Sequence, residues 1–276
     1  MNRIPLRRAA AIYALYTATI LFWGVPVTWL FLASIDPSAS AYIKIPSNPG
    51  PQNFIDVFTE YDTARYLANS LIVSTSTMAL TTALASLAGY SLSRGRVRGK
   101  RGLLLSLLLL QIVPGSALMV PLYGLMRGLG LRNTYVGLVL VYTAMQLPFL
   151  IWVMKGFFDT IPREYEEAAW LDGCGLLDTL TRILLPIAKP GLAVVSSMSF
   201  MGAWADVLMV LVLIDSDAYK TLPLGFYEAF TSFGGYLEVR YDDLAAMGVI
   251  YLVPVLLLFL LNRKYLVKGV AAGVKG

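Results

Sequence analysis

Six long apolar segments, spaced along a chain of 276 residues, constrain its fold more than any other feature. They cover about residues 9–34, 66–93, 102–126, 133–154, 190–214 and 244–262. About 20 consecutive apolar residues are enough for an α-helix to cross a bilayer. The fifth segment carries one charged residue, Asp206, and the others carry none. The pattern predicts an all-α membrane protein with six transmembrane helices in a single domain over residues 1–276.

Composition supports this class. Only 14% of the residues are charged, whereas a soluble domain carries about 25%. The strands of a membrane barrel would be about 10 residues long with alternating polarity, and that pattern is absent from the sequence. The protein is therefore expected in a cell membrane as a multi-pass protein.

The distribution of basic residues predicts the orientation. With the N-terminus inside, 16 of the 22 Lys and Arg residues fall on the inner side, and an excess of Lys and Arg marks cytoplasmic loops. Both termini are therefore predicted to be cytoplasmic. The basic loop Arg94–Arg101 also fits a nucleic-acid patch, but a short basic loop between two spans is typical of the cytoplasmic side. No nucleic-acid partner is expected.

The residues that usually carry catalysis are scarce. The chain has no His, and Cys174 is its only Cys, so an internal disulfide is excluded and the usual zinc ligands are missing. The glycine-rich nucleotide-binding loop that ends in Gly-Lys-Ser/Thr is also absent. The sequence predicts no catalytic residue, no metal site and no cofactor bound by this chain.

An acidic segment, residues 159–189, separates the fourth and fifth apolar segments. Asp159 and Pro162 indicate a helix start, and Glu164, Glu166 and Glu167 would then lie where the helix dipole favours anions. The glycines at positions 173 and 175 predict a turn, and a second short helix is expected over about residues 176–185, ending at Pro186.

This segment fits either an amphipathic loop on the membrane surface or two short helices that dock in a groove of another protein. A helix that lies on an anionic membrane is typically rich in Lys and Arg on its polar face. The three glutamates at the start of this segment therefore favour a protein partner.

The same segment carries a spaced motif. It reads Glu167-Ala168-Ala169, three residues, Gly173, nine residues, and Ile183-x-Leu185-Pro186. It resembles the cytoplasmic loop of ABC-importer permeases, on which the closing ATPase dimer would push. In that role Glu167 would bond to a basic residue of the ATPase, the alanines would permit close backbone approach and Gly173 would allow the turn. The resemblance implies an ATPase-coupling set made of Glu167, Ala168, Ala169, Asp172, Gly173, Ile183, Leu185 and Pro186.

More of the chain, from Asn69 onward, resembles the smaller permease of maltose-type sugar importers. The similarity includes residues 69–102, residues 131–173 and the terminal Gly-Val-Lys-Gly. One departure is Trp204-Ala205-Asp206, because members of this branch often have Trp-Asn followed by an acid. A polar contact expected at position 205 is therefore missing.

The resemblance implies half of a sugar translocation pathway, with a di- or oligosaccharide as cargo. Its partners would be a second permease in a heterodimer, two ATPase subunits that hold ATP and Mg, an extracytoplasmic solute-binding protein and membrane lipid. Two alternatives stay open. One is an importer of a non-sugar solute such as glycerol phosphate or a polyamine, and the other is a channel or structural membrane subunit.

Four polar or aromatic residues in the spans are candidates for the substrate pathway: Gln111, Gln146, Trp204 and Asp206. Asp206 either binds substrate hydroxyls or forms part of a gate, or else it makes a helix–helix hydrogen bond to the partner permease. Trp204 either stacks on sugar or anchors the helix at the membrane interface. In the resembled family, the loop that corresponds to residues 231–243 reaches into the docked binding protein and helps to displace sugar. The alternative for these residues is a plain solvated loop.

Overall fold

A computed structural model describes residues 6–96, 98–232 and 240–273 and contains helices without any strand in these ranges. The α-helices are α1 Leu6–Ser34, α2 Gln52–Glu60, α3 Thr63–Arg94, α4 Lys100–Leu110, α5 Met119–Gly128, α6 Tyr135–Asp159, α7 Glu164–Leu171, α8 Leu176–Asp178, α9 Leu185–Ile187, α10 Lys189–Trp204, α11 Leu208–Leu213, α12 Leu222–Ser232 and α13 Tyr241–Gly273. The all-helical prediction is confirmed for the described residues.

Within the described residues, four helices are individually long and apolar enough to cross a membrane, namely α1, α3, α6 and α13. Two bent pairs bring the number of candidate spans to six if each pair counts as one span. The first pair is Lys100–Leu110 with Gly115–Gly128, bent by 88°, and the second is Leu176–Ile187 with Lys189–Trp204, bent by 84°.

Two of the predicted spans are interrupted rather than continuous. The segment predicted over residues 102–126 breaks between α4 and α5, where Pro114 lacks a backbone N–H and disfavours helical geometry in the residue before it. The segment predicted over residues 190–214 breaks after Trp204, and a new short helix begins at Leu208. The sole charged residue of these segments, Asp206, lies in the second break.

The described residues within 65–225 and 254–273 form one compact unit. At one end of α3 and α6, Tyr90, Met154 and Phe158 pack with Leu184 and Val195 in a buried cluster. The second cluster of this unit lies toward the start of α6 and contains Leu138, Tyr142, Val210, Leu213 and Leu224. These two clusters fix α6 between α3, α10 and α11.

Glycines let the helices of this unit approach closely. A Cβ at Gly89 of α3 would lie 2.9 Å from the backbone N of Lys155 in α6, and one at Gly191 of α10 would lie 2.5 Å from Cγ of Phe157. No real Cβ tolerates such contacts, so these two positions require the missing side chain. The close approaches place α3 and α10 directly against the same end of α6.

The described residues within 6–64 and 226–253 form the other compact unit. Val57 of α2 is fully buried against Ala246 and Met247 of α13. The amide of Asn53 donates to Ser34 O at 3.1 Å, which ties α2 to the end of α1. α2 is thereby held by both of the longer helices of this unit.

Candidate coupling loop and polar residues of the spans

The acidic helix predicted after the fourth span is α7, Glu164–Leu171. Its first turn contains Glu164, Glu166 and Glu167, as predicted from the helix dipole. The predicted start at Asp159 is wrong, because Asp159 is the last residue of α6 and accepts a hydrogen bond from Ser93 Oγ at 2.6 Å. Arg163 stands at the N-cap and makes no side-chain capping bond.

The turn after α7 is made by glycine in the left-handed region. Gly173 has φ of +83°, its N–H donates to Trp170 O at 3.1 Å, and the N–H of Cys174 donates to Ala169 O at 2.9 Å. These are the two bonds of a Schellman motif, which satisfies the last carbonyls of a helix. The predicted interruption of the helix by glycine is confirmed.

The second half of the loop is longer than predicted. α8, a π-helix over Thr179–Leu184, and α9 follow one another, and the next break comes at Ala188. The predicted helix end at Pro186 is wrong, because Pro186 lies in the first turn of α9, where a missing N–H costs little. The chain then turns by 84° into α10.

The residues of the motif divide between two faces of the loop. Ala169 is buried, Ile183 and Leu185 are half-buried, and Glu167, Ala168, Asp172, Gly173 and Pro186 are exposed. Around the exposed set lie large apolar side chains that are at least half exposed, with Leu171 at 90%: Tyr165, Trp170, Leu171, Leu176 and Leu177. Such a concentration of exposed apolar area typically marks a site of protein interaction.

On the opposite face of α7, Glu166 is 2% exposed. Its carboxylate forms an ion pair with Nε of Arg94, at the end of α3, and accepts a hydrogen bond from Tyr90 Oη at 3.3 Å. Sequence reasoning assigned Arg94 to the basic loop and Glu166 to the helix start, so it missed this pair. The sequence held one signal of the inward position of Glu166. Glu166 and the apolar Ala169 are three residues apart and therefore share a helix face.

Asp206 is held within the chain. Its Oδ1 accepts a hydrogen bond from Tyr142 Oη of α6 at 2.9 Å and another from the N–H of Met209 at 2.8 Å. The carboxylate therefore joins α6 to the first turn of α11. Tyr142 is 3% exposed, and sequence reasoning did not identify it.

Trp204 is 1% exposed, and its ring stacks on Phe200 with the centroids 5.4 Å apart. Its indole is therefore enclosed by this chain, with one face covered by Phe200. The side chain of Gln146 lies against Gly202, where a Cβ would be 3.0 Å from Nε2. Gln146 and Asp206 thus both lie between α6 and the end of α10.

Gln111 follows α4 at the first break and donates from Nε2 to Met145 O at 3.2 Å. It lines a cavity of about 420 Å³ together with Pro114 of the break and Pro148 of α6. The role of Gln111, Gln146, Trp204 and Asp206 as pathway residues stays a prediction. The predicted binding-protein loop, residues 231–243, includes residues 233–239, which lie outside the described part of the chain.

Comparison with known proteins is consistent with this arrangement. Residues 81–271 match the family described as "Binding-protein-dependent transport system inner membrane component". The chain is 32% identical over 270 residues to the diacetylchitobiose uptake system permease protein DasC of Streptomyces coelicolor, covering 94% of this chain and 95% of the relative. It is 30% identical over 275 residues to the trehalose transport system permease protein SugB of Mycobacterium tuberculosis, covering 98% and 99%.

A solved structure shares the fold. A chain of a bacterial ABC transporter involved in the import of the acidic polysaccharide alginate superposes with a TM-score of 0.81 at 20% identity, covering 96% of this chain and 99% of that one. The relatives are permease subunits, which are transport components rather than catalytic ones. With its family match spanning most of its length, this chain belongs to the inner membrane components of binding-protein-dependent transport systems.

Proposed function

We propose that this chain is the permease subunit of an ATP-driven, binding-protein-dependent sugar importer and forms half of its translocation pathway. The observation that carries the proposal is the exposed, partly apolar face of residues 159–189. Three residues of the spaced motif, Glu167, Ala168 and Gly173, lie on this face and are accessible to another protein. The named relatives take up diacetylchitobiose and trehalose. A di- or oligosaccharide is therefore the proposed cargo.

The proposed topology has six spans, with both termini and the coupling loop in the cytoplasm. It counts each bent pair as one span and follows the excess of basic residues on that side. None of the residues in the most apolar window of α1 is buried by the described part of the chain. This uncovered helix supports contact with lipid and with a second permease in a heterodimer.

The proposed mechanism begins at two separate ATPase subunits, which hold ATP and Mg. Their closure moves the exposed face of the coupling loop, where Glu167 is the candidate for an ion pair with a basic residue of the ATPase. The turn at Gly173 fixes the direction in which the chain leaves α7, because the N–H groups of Gly173 and Cys174 bond back to Trp170 O and Ala169 O. Displacement of the loop is then passed to α6 and α10, which continue from its two ends.

Reconstitution tests the proposal. The permease pair, the ATPase and the binding protein encoded with this chain are placed in proteoliposomes, and uptake of each radiolabelled sugar bound by that binding protein is measured. We expect uptake that needs both ATP and the binding protein, and an ATPase subunit with an inactivated catalytic site is the control.

The alternatives give different results in the same experiment. Uptake of glycerol phosphate or a polyamine in place of sugar would transfer the proposal to a non-sugar importer. Solute flux without ATP or binding protein would favour a channel and contradict an importer.

A further inference from the structure

The coupling loop is joined to α3 without being next to it in the sequence. α7 is linked covalently to α6 through residues 160–163, whereas Arg94 of α3 and Glu166 of α7 are 72 residues apart and meet as a buried ion pair. We propose that this pair fastens α7 to α3, so that a displacement of α7 by the ATPase moves α3 together with α6. The inference rests on the proposed coupling function of the loop.

The pair is enclosed and held from several directions. The side chain of Arg94 is 13% exposed and that of Glu166 is 3% exposed. Tyr90 Oη donates to Glu166 Oε2 at 3.3 Å, and Arg94 Nη2 donates to Ile161 O at 2.6 Å. Charge-assisted hydrogen bonds with a fixed planar guanidinium specify one geometry, unlike a mobile ion pair on the surface.

Arg94 therefore bridges three pieces of chain: the end of α3, the connection after α6, and α7. Nearby contacts link α3 and α6 directly. Ser93 Oγ donates to Asp159 Oδ1 at 2.6 Å, and the rings of Tyr90 and Phe158 meet edge to face with centroids 5.7 Å apart. These contacts thus join the ends of α3 and α6 to α7, and the three would move together as one rigid body.

Two breaks in the helices lie outside the joined ends of α3, α6 and α7, namely the segment between α4 and α5 and the segment between α10 and α11. The 84° bend at Ala188, between α9 and α10, belongs to the same buried cluster as Tyr90 and Phe158. A force applied to α7 would therefore move the joined ends of α3 and α6 while the contacts between them stay intact. Rotation would instead occur at the two outer breaks, where the backbone ladder is already interrupted.

The simplest competing interpretation is that Arg94 acts only as a positive charge that sets topology. Arg96, two residues further on, is exposed and belongs to the same basic loop, so it provides a matched control. A charge that acts through topology alone gives the same result at both positions. A fastening residue gives a defect only at the buried one.

The test uses the complete transporter in proteoliposomes and compares Glu166→Gln, Arg94→Lys and Arg96→Gln with the wild type. Binding-protein-stimulated ATP hydrolysis and uptake are measured in the same preparation, so that uptake per ATP is obtained. We expect Glu166→Gln to retain ATP hydrolysis and to lose about fivefold or more of its uptake per ATP. Arg94→Lys keeps the positive charge but lacks the planar guanidinium, so its loss of uptake per ATP should be smaller. Arg96→Gln should match the wild type.

One result would overturn the inference: uptake per ATP equal to that of the wild type in assembled Glu166→Gln complexes, whether both rates are normal or both fall in parallel. If a single variant fails to assemble because one buried charge has lost its partner, the double variant R94Q/E166Q removes both charges. Wild-type uptake per ATP in the double variant would then overturn the inference.

The experiment also separates this inference from the proposed function. A wild-type complex that shows no ATP-dependent uptake contradicts the proposed function itself. A wild-type complex that transports, with an unaffected Glu166→Gln variant, contradicts only the fastening role.

Discussion

Tyr142 and Asp206, 64 residues apart in the sequence, share a hydrogen bond of 2.9 Å from the phenol of α6 to the carboxylate in the break before α11. The same carboxylate oxygen also accepts the N–H of Met209. The charge inside the fifth apolar segment is thus used to hold a broken helix in place. A free end of α11 would otherwise leave N–H groups without acceptors in an apolar setting.

Removing this acceptor should destabilise the protein. Asp206→Ala leaves the Tyr142 hydroxyl and the Met209 N–H without a partner, and we expect a loss of about 1–3 kcal/mol in the free energy of unfolding. Tyr142→Phe should cost less, and the double variant should lose less than the sum, because both changes remove one shared bond. Denaturant titration of the detergent-solubilised permease pair measures these differences.

Asp206→Asn is the matched variant, since it keeps an acceptor oxygen of the same shape. Normal assembly with altered uptake kinetics would support the predicted pathway role of this residue. Lost assembly would instead show that the negative charge itself holds the break.

Gly173 should be replaceable only at a cost. Its φ of +83° disfavours any residue with a Cβ by about 1–2 kcal/mol, whereas nothing lies within 4 Å of the added atom. We expect Gly173→Val to be expressed normally and to lower binding-protein-stimulated ATP hydrolysis and uptake. Gly173→Asn should be intermediate, because Asn tolerates the left-handed region better.

Gly175 provides the control for this series. It is also in open space, but its φ is −74°, so Gly175→Ala needs no strained backbone. Equal defects at both glycines would contradict the role of the left-handed turn and point to a general sensitivity of the loop.

Gly191→Ala should destabilise the packing of α10 on α6. The added Cβ would overlap Cγ and Cβ of Phe157, which lie at the base of that side chain and cannot swing away. Overpacking of this kind costs about 1–3 kcal/mol, and a lower thermal midpoint of the purified complex would show it. Gly156→Ala in α6 meets no atom within 4 Å and should be neutral or stabilising, because Ala favours a helix over Gly.

The helices were largely predictable because apolar length and loop charge are local features of the sequence. The breaks were harder to predict. Pro114 lies at one of them, but Pro148 and Pro254 lie inside helices that continue, so a proline alone does not specify a break. The break before Leu208 depends on the bond from Tyr142, a partner far away in the sequence. No local pattern specifies such a partner.

The coupling loop shows the same division. The turn at Gly173 was predictable, because a helix commonly ends at a residue in the left-handed region and that residue is usually glycine. This preference depends only on neighbouring residues. The inward position of Glu166 was missed because a glutamate in a first turn has a sufficient local explanation in the helix dipole. Its burial depends on Arg94 and Tyr90, which the fold alone brings to it.

The loop after α1 should keep its shape across the neutral pH range. Burial by itself would raise the pKa of Asp36, but hydrogen bonds from Ser38 and Lys44 outweigh it and lower the pKa below the ordinary 3.8. A lowered pKa in the folded state stabilises above the ordinary pKa, and the stabilisation is lost as the pH falls through the lowered value. Ionised Asp36 therefore holds Lys44 throughout the neutral pH range.

Tryptic cleavage after Lys44 in the solubilised complex measures this tether. Between about pH 6 and 8, the ratio of the cleavage rate at Lys44 to that at exposed Arg127 should stay constant, because the carboxyl of Asp36 stays ionised in this range. Asp36→Asn removes the ion pair, whose Nζ and Oδ2 atoms are 3.2 Å apart, and should accelerate cleavage at Lys44 alone. Equal acceleration at Arg127 would mean a global loosening of the chain.

Leu171 should contribute most to docking of the ATPase, because it is 90% exposed at the end of α7 and has no role in the packing of this chain. Burying a leucine side chain at an interface contributes about 1.5–3 kcal/mol, so Leu171→Asp should weaken association with the ATPase by about 10- to 100-fold. Titration of the ATPase subunit onto the permease pair in nanodiscs measures that affinity. The partner permease should copurify as in the wild type, because the changed side chain lies outside every span. Unchanged affinity for the ATPase would place the docking contacts on Leu176 and Leu177 instead, the exposed apolar pair on the far side of the glycine turn.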